Sequence, residues 1–495
     1  MDAWAELGNP GWGWEGTKEY FRKFCTLVPP NDETVIEKLH LMPHFASAGA
    51  RTEGPIQATF PLDVSPLHTA WLNAFRSLGL ENLEDPLEGQ AVGDGITANH
   101  IDGVRRERSH AGVAYLRPVQ SRRNVTVVTG AHVQWILFEK GGQNELAEAK
   151  SVIYECNGQS YEVKARKEVV LAAGAFGSPQ ILELSGIGDS NRLIQHGVDS
   201  VYDNPAVGEN LQDHIRAGLS YEAAAHLKNT PSKEEAEELY AKERKGPWAQ
   251  MAAYMFTYTP LARVTSKEDM QQLEVACREH PPNDNGSEPT PSPFERQHQA
   301  FFQNVLTSQT EASATAYLTR RVPGPCPIPG FNDSRPIILC AMLSPPLSRG
   351  SVHITSPNPA THPEIKMNYY THALDLEVHA RHLLALQNLA RTPALAALMH
   401  DGGARYPEEL TLERAKTYLR ETATTNYHPS GTCAMLPEAM GGVVDAELRV
   451  YGTRNLRVVD ASVFPVILRG HIVATVYAIA EKGAEIIGRG LGLRH

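Results

Sequence analysis

The sequence predicts a mixed α/β protein with a second lobe built on a sheet. Two segments, 168–182 and 455–487, have the pattern of a buried strand followed by a turn and a helix. Short apolar runs rich in β-branched residues are typical of buried strands. The segments 124–135 and 351–354 predict further strands, the first of them as a pair. Strands that lead into helices, together with antiparallel strands elsewhere, favour this architecture.

The two strand-to-helix segments place their turns at small and polar residues. In 168–182, the apolar run is followed by alanine and glycine, and then by Ser178 and Pro179. Ser178 is the predicted N-cap and Pro179 the first helical residue, since serine caps helices and proline suits the first turn. The second segment predicts a strand over 455–462 that ends in a polar turn, and a buried helix over 471–487.

Three further segments complete the prediction. The pattern over 372–398 predicts a long amphipathic helix. The stretch 233–245 mixes acidic and basic residues and predicts an exposed helix. The stretch 280–293 is dense in proline, glycine and polar residues, which is typical of a solvated loop.

The composition is that of a globular protein and excludes several classes. Hydrophobic residues make up 42% and charged residues 21% of the 495 residues, which excludes wholesale disorder. The net charge of −11 argues against nucleic acid or an anionic membrane as the partner. No apolar run approaches the roughly 18–20 residues of a membrane helix. The six cysteines include no CxxC pair, so neither a disulfide scaffold nor a metal site is expected.

The search for catalytic motifs leaves two histidines as candidate catalytic residues. No glycine-rich dinucleotide or phosphate loop follows a predicted strand, and HExxH and GxSxG are absent from the sequence. His428 stands in the segment Asn-Tyr-His-Pro-Ser-Gly-Thr-Cys, and His471 stands at the start of the last predicted helix. A lone histidine is more often structural than catalytic. Because two histidines stand beside strand-to-helix turns, the pattern favours a catalytic role and a structural role about equally.

Several longer motifs, in the same order, resemble the glucose–methanol–choline (GMC) flavin oxidoreductases. They are GAFGSPQILELSGIG at 174–188, VGENLQDH at 207–214, SRGSV at 348–352, and the HPSGTCAM, GVVD, LRVYG and NLRVVDAS motifs with the final helix inside 426–488. The start of the chain, 2–14, is similar to a segment that lies inside family members. The resemblance covers nearly the whole chain and is weakest over 228–322.

The resemblance implies a Rossmann-like FAD-binding domain interleaved with a substrate-binding domain on an antiparallel sheet with helices. Residues 1–215 would hold portions of the FAD-binding domain, 216–425 mainly the substrate-binding domain, and 426–495 the C-terminal FAD-binding and catalytic segment. Family members begin with a βαβ unit that carries the glycine-rich fingerprint for the pyrophosphate. That unit would precede Met1, so we expect an FAD-binding domain that is incomplete at its N-terminus.

The resemblance also implies FAD as the cofactor and a small-molecule alcohol as the substrate. The CH–OH group would be oxidised by hydride transfer to flavin N5. His428 would be the general base, since imidazole suits proton transfer near neutral pH. His471 would hydrogen-bond the substrate oxygen or share the proton.

Five further positions match cofactor contacts of the family. Val133 would meet the adenine through its backbone, and Asp460 and Ala461 would meet the ribityl chain and the pyrophosphate. Ile472 and Val473 would lie near the flavin ring at a helix N-terminus, where negative charge is favoured.

The sequence leaves several alternatives open. Asp460 could instead cap the turn that follows its strand, and His214 and His353 are interpreted as structural. A lyase or cyclase on a flavin scaffold, or an inactive truncated homologue without bound FAD, are alternative functions. The substrate, the electron acceptor and the oligomeric state are not predicted, and a role in secondary metabolism is suggested by resemblance. Localisation depends on the true start: cytoplasmic if it is Met1, secreted if a segment precedes it.

Overall fold

A computed structural model describes residues 1–46, 53–81, 89, 92–93, 95–139, 145–227, 231–251, 255–279, 292–320 and 336–493. The strands are β1 (Cys25–Val28), β2 (Ile56–Thr59), β3 (Ala131–Glu139), β4 (Glu148–Cys156), β5 (Gln159–Lys164), β6 (Val169–Leu171), β7 (Ile187–Gly188), β8 (Tyr202–Asp203), β9 (Ile215–Tyr221), β10 (Phe256–Thr259), β11 (Ala314–Thr319), β12 (Ile337–Leu343), β13 (Ser351–His353), β14 (Glu364–Lys366), β15 (Arg405–Tyr406), β16 (Thr424–Thr425) and β17 (Leu456–Val458).

The α-helices lie between and after these strands. They are α1 (Asp2–Glu6), α2 (Lys18–Lys23), α3 (Glu33–Lys38), α4 (Met42–Ala46), α5 (Pro66–Ser77), α6 (Gly174–Leu184), α7 (Ser190–Gln195), α8 (Lys233–Glu243), α9 (Leu261–Val264), α10 (Lys267–Glu279), α11 (Pro293–Thr307), α12 (Ala373–Ala390), α13 (Pro393–Ala396), α14 (Leu412–Thr422) and α15 (Val473–Gly490). Among the described residues, no helix is long and apolar enough to cross a membrane.

The largest sheet is antiparallel and has two different faces. Its strand order is β10-β11-β12-β9-β15, and β16 also pairs with β9. Successive side chains of a strand point to opposite faces. On one face, Ala217, Ala316 and Leu339 pack in the same apolar core as Leu383 of α12. We call this the helix face. The opposite face carries a separate buried cluster, which consists of Phe256, Tyr317, Ile338, Cys340 and Met342. We call this the site face.

The two predicted strand-to-helix units form a parallel pair. β6 and β17 are hydrogen-bonded in parallel, with Val169 opposite Leu456 and Leu171 opposite Val458. α6 follows β6, and α15 follows β17 after a short 3₁₀ turn and a loop. Their apolar residues share one core with β3, the first strand of the antiparallel sheet β3-β4-β5. The predicted mixed α/β architecture is therefore confirmed.

The predicted start of α6 is wrong. The helix begins at Gly174, so Ser178 and Pro179 lie inside it. Proline has no N–H and cannot donate to the carbonyl four residues earlier, which disfavours it in a helix interior. That carbonyl belongs to Ala175, and the Thr432 hydroxyl donates to it at 2.7 Å. A residue that is distant in sequence thus replaces the missing bond.

Other predicted elements need smaller corrections. In 124–135 only the second half is a strand, because β3 begins at Ala131 and pairs with β4. The helix predicted over 372–398 is two helices, since Pro393 starts α13 as its first residue. The last helix begins two residues after His471 and runs to Gly490.

Three other predictions have different outcomes. The exposed helix in 233–245 is present as α8, and a strand in 351–354 is present as β13. Residues 280–291 of the predicted loop lie outside the described residues. The division into 1–215, 216–425 and 426–495 stays a prediction.

Candidate active site

The loop that carries His428 is anchored by a buried carboxylate. The backbone N–H of His428 donates to Asp213 Oδ1 at 2.9 Å. The other oxygen of Asp213 accepts from the hydroxyls of Tyr369 and Thr425. Asp213 is 3% exposed, and burial raises the pKa of its carboxyl group. These bonds fix the position of the His428 backbone after β16.

The structure brings the two predicted histidines together. The rings of His428 and His471 meet edge to face, with centroids 5.1 Å apart. His471 also packs edge to face against Phe256 of β10, at 4.7 Å. The preceding Gly470 has a φ of +81°, and a Cβ there would lie 2.5 Å from the Tyr258 hydroxyl. Glycine is therefore required at the turn that presents His471 to the site face.

A third histidine, His214, completes the cluster. Its Nδ1 lies 2.9 Å from Nδ1 of His428, and the two ring centroids are 5.1 Å apart. His214 is fully buried, and its Nε2 has no hydrogen-bond partner among the described residues. The sequence prediction treated His214 as structural and missed this contact. The available signal was its position beside Asp213 in one of the family-like motifs.

All three imidazoles are held in the neutral form. Burial, followed by the neighbouring His471 ring and the positive charge of Arg216, lowers the pKa of His428 to about 3. Desolvation of the ring by the surrounding protein, followed by the positive charge of Arg216, lowers the pKa of His471 to about 4. Part of the His471 side chain is nevertheless exposed to solvent. Burial holds the pKa of His214 well below its ordinary value. At neutral pH each ring is therefore unprotonated, and each is a weaker base than an imidazole in water.

Asp460 uses its whole carboxylate within the protein. Oδ2 accepts from the Gly174 backbone at 2.9 Å and from the Ser178 hydroxyl at 2.6 Å. Oδ1 accepts from the backbone and the hydroxyl of Ser462, at 2.7 and 2.5 Å. The carboxylate thus joins the start of α6 to the turn after β17, as the capping alternative expects. A cofactor contact of Asp460 and Ala461 stays a prediction.

Two of the remaining predicted cofactor residues, Ile472 and Val473, lie at the start of α15. Ile472 is the N-cap of α15, and no side chain of the described residues caps this helix. Val473, its first residue, is 46% exposed. Val133 packs against the apolar core that also contains Ile472 and borders Ala461. The roles of these residues as cofactor contacts stay predictions.

These features fit a flavin nucleotide. The first N–H groups of an uncapped helix carry partial positive charge and attract negative groups. The parallel strands β6 and β17 end at the same edge, where Ala172 and Ala173 are exposed. In open α/β sheets, ligands bind outside the carboxyl ends of the strands.

Comparison with known proteins decides the family. The GMC oxidoreductase family models match residues 1–216 and 346–480. The chain belongs to the GMC oxidoreductase family. It is 33% identical to the GMC oxidoreductase family protein Mala s 12 of Malassezia sympodialis, over 98% of this chain and 76% of that protein. It is 31% identical to the dehydrogenase citC of Monascus ruber, over 99% of this chain and 80% of that protein.

Solved structures agree with this membership of the GMC oxidoreductases. An FAD-dependent oxidoreductase from Chaetomium thermophilum matches with a TM-score of 0.87 and 28% identity, over 100% of this chain and 83% of that one. A fungal aryl-alcohol oxidase matches with a TM-score of 0.83 and 25% identity, over 99% and 82%. Family membership and the FAD-dependent neighbour support FAD as the cofactor, which confirms both the predicted family and the predicted cofactor.

Proposed function

We propose that this GMC oxidoreductase oxidises the CH–OH group of a small-molecule alcohol, with His428 as the general base. The observation that carries the proposal is the cluster of neutral His428, His471 and His214 on the site face. FAD, when bound, supplies the acceptor for the hydride that leaves the alcohol carbon. The alcohol loses that hydride and its O–H proton, and a carbonyl product remains.

The base function assigns each nitrogen of His428 a role. The two Nδ1 atoms of His428 and His214 lie 2.9 Å apart, so one of them carries the shared hydrogen, and we assign it to His428. Nε2 is then the unprotonated nitrogen that takes the alcohol proton. A general base must lie within hydrogen-bond reach of the proton that it removes, and the proposed position of the alcohol beside Nε2 meets this requirement.

His471 positions the substrate in this mechanism. Its ring packs edge to face on the ring of His428, with centroids 5.1 Å apart, so the substrate oxygen would lie beside the pair and bond to both rings. Phe256 holds the His471 ring from the other side. The nearby start of α15 favours negative charge in the site.

The relatives support a biosynthetic alcohol oxidation. A patulin synthase of Aspergillus clavatus is 30% identical over 97% of this chain and 73% of that protein. The dehydrogenase citC and the aryl-alcohol oxidase are further similar proteins. We infer a role in secondary metabolism from these similarities.

Flavin reduction tests the proposal directly. The purified chain is mixed with FAD, its absorbance spectrum is recorded, and benzyl alcohol is added without oxygen. We expect loss of the oxidised flavin absorbance, and a rate about 10²–10⁴-fold lower in His428→Ala. His362→Ala, at an exposed histidine, is the control and keeps the parental rate. An unchanged rate in His428→Ala means that the base is wrongly assigned. If only His471→Ala abolishes reduction, the two roles are exchanged.

A further inference from the structure

Arg216 brings a positive charge to the site face. It is the second residue of β9 and pairs across the sheet with Met342 of β12 and Thr424 of β16. Its Nη1 donates to the Tyr317 hydroxyl at 3.0 Å, and its guanidinium lies 5.7 Å from the ring of Tyr427. The charge is close enough to lower the pKa of both site histidines.

This charge has no carboxylate partner in the described part of the chain. Tyr317 is the hydrogen-bond acceptor of Arg216 there, and the buried Nε has none. Burial lowers the pKa of the guanidinium, but Tyr317, Cys340 and Tyr427 outweigh this effect and leave the pKa raised. The half-buried guanidinium therefore stays charged, and a bound anion would supply the counter-charge that it lacks.

The charge also opposes the proposed base. A proton taken up by His428 creates a second positive charge near Arg216, which the lowered pKa of His428 reflects. An anion bound to Arg216 would cancel this repulsion. A substrate that carries the anion would therefore strengthen its own base on binding.

We propose that Arg216 binds the carboxylate of an aromatic alcohol, whose CH–OH group lies at His428 and His471. The aromatic ring would lie beside Tyr427, which is 72% exposed and whose own ring is 5.7 Å from the guanidinium. Arginine and carboxylate form charge-assisted hydrogen bonds, for which the guanidinium has free donors. The substrate class rests on the proposed function, whereas the anion subsite is testable without turnover.

Binding calorimetry with two matched ligands tests the subsite. para-(Hydroxymethyl)benzoate and para-(hydroxymethyl)benzamide have nearly the same shape and differ in charge. Each is titrated into the purified chain, with and without added FAD. We expect the acid to bind at least about tenfold more tightly than the amide.

Variants of Arg216 test whether this residue causes the tighter binding of the acid than of the amide. Arg216→Gln should bind the acid and the amide equally. Arg263→Gln is the matched control, at an exposed arginine of α9, and should keep the parental preference. Circular dichroism verifies folding. Arg216→Met replaces Arg216→Gln if the latter does not fold, since methionine packs like the arginine stem.

The outcomes separate the subsite from the reaction. Equal binding of acid and amide by the parental chain overturns the subsite, as does a preference that survives in Arg216→Gln. If the preference depends on Arg216 while His428→Ala reduces flavin normally, the subsite stands and the base assignment fails. If His428→Ala blocks reduction while acid and amide bind equally, the reaction stands and the carboxylate subsite is rejected.

Discussion

The environment of each histidine in the cluster shows how single residues set the chemistry. His428 and His471 were identifiable from the sequence, because each stands in a motif with a recognisable turn. His214 was not, because its importance comes from a 2.9 Å contact between residues 214 positions apart. Arg216 escaped the prediction for the same reason, since its partners Tyr317 and Tyr427 are distant in sequence.

His214 should act as a positioning residue. We expect His214→Ala to slow flavin reduction by roughly 10–100-fold, because loss of the Nδ1 contact lets the His428 ring shift. Water entering the space would also raise the pKa of His428, so the acid limb of the rate should move to higher pH. Rates measured across acidic pH check both effects, and His362→Ala is the control. A slower rate with an unmoved acid limb would contradict the link to His428.

The charge of Arg216 should be visible in the pH profile. Parental His428 stays neutral down to a pKa of about 3. Arg216→Met removes a positive charge that lowers this pKa, so the base should become protonated, and reduction of flavin by neutral benzyl alcohol should fail, at a higher pH. Stopped-flow reduction across acidic pH measures the shift. An acid limb identical in both proteins would show that the charge does not act on the base.

At the scale of the elements, strand-to-helix units were predictable and their junctions were not. β6, β17, α6 and α15 follow from apolar runs, since burial selects such residues. The start of α6 was predicted five residues late, because local rules place proline in the first turn. Only the folded chain brings Thr432 to the carbonyl that Pro179 leaves free.

Thr432 should therefore contribute to the stability of α6. Thr432→Val keeps the shape and removes the donor to the Ala175 carbonyl, which should cost about 1–3 kcal/mol because a buried acceptor is left unpaired. Urea unfolding measures the loss. Thr307→Val is the control, because Thr307 makes a similar hydroxyl-to-carbonyl bond on the exposed surface of α11. Equal losses in both variants would contradict the special role of Thr432.

Asp460 should hold two elements together. Asp460→Asn turns one acceptor oxygen into a donor that faces Gly174 and Ser178, or Ser462. We expect a loss of about 1.5–3 kcal/mol in the free energy of unfolding, as for hydrogen bonds to charged groups. Urea titration of this variant beside Asp199→Asn, at an exposed aspartate, provides the comparison. A loss no larger than in Asp199→Asn would argue against the carboxylate as the link.

At the scale of the whole molecule, the mixed α/β architecture was predictable and the strand order was not. Strands β9 and β15 pair, although they are far apart in sequence, and β9 is also central to the sheet. Such pairings depend on the closure of long loops rather than on local pattern. Trp71 and Phe75 of α5 also pack in the core that includes Leu339 of the helix face. The sequence carried no signal for this contact.

Two buried histidines of α12 should make global stability depend on pH. His379 donates from Nε2 to the Ala341 carbonyl at 3.1 Å and accepts from the Tyr370 hydroxyl at 2.8 Å, as a neutral ring does. Burial lowers the pKa of His379 to about 4 and that of His382 to about 3. The unfolded chain binds these protons first, near its ordinary pKa of about 6.5. Stability should therefore fall below about pH 6.5, by up to about 1.4 kcal/mol per pH unit for each histidine.

Urea unfolding at several pH values measures this slope. His379→Gln should show a shallower fall in the free energy of unfolding between about pH 6 and 4.5, because one proton fewer is taken up. His362→Gln, at an exposed site, should keep the parental slope. A slope in His379→Gln as steep as in the parental chain would mean that other groups account for the dependence.

The alternation of the largest sheet has a consequence for how this enzyme can change. In β11, Ala316 and Leu318 belong to the main core, whereas Tyr317 belongs to the site face. Neighbouring codons thus serve two separate buried clusters. Because the side chains of both clusters are buried, a substitution on either face costs stability. A mutant library restricted to Tyr317, Cys340 and Met342 should therefore yield a low proportion of folded variants, and those that fold are the ones to screen for altered selectivity.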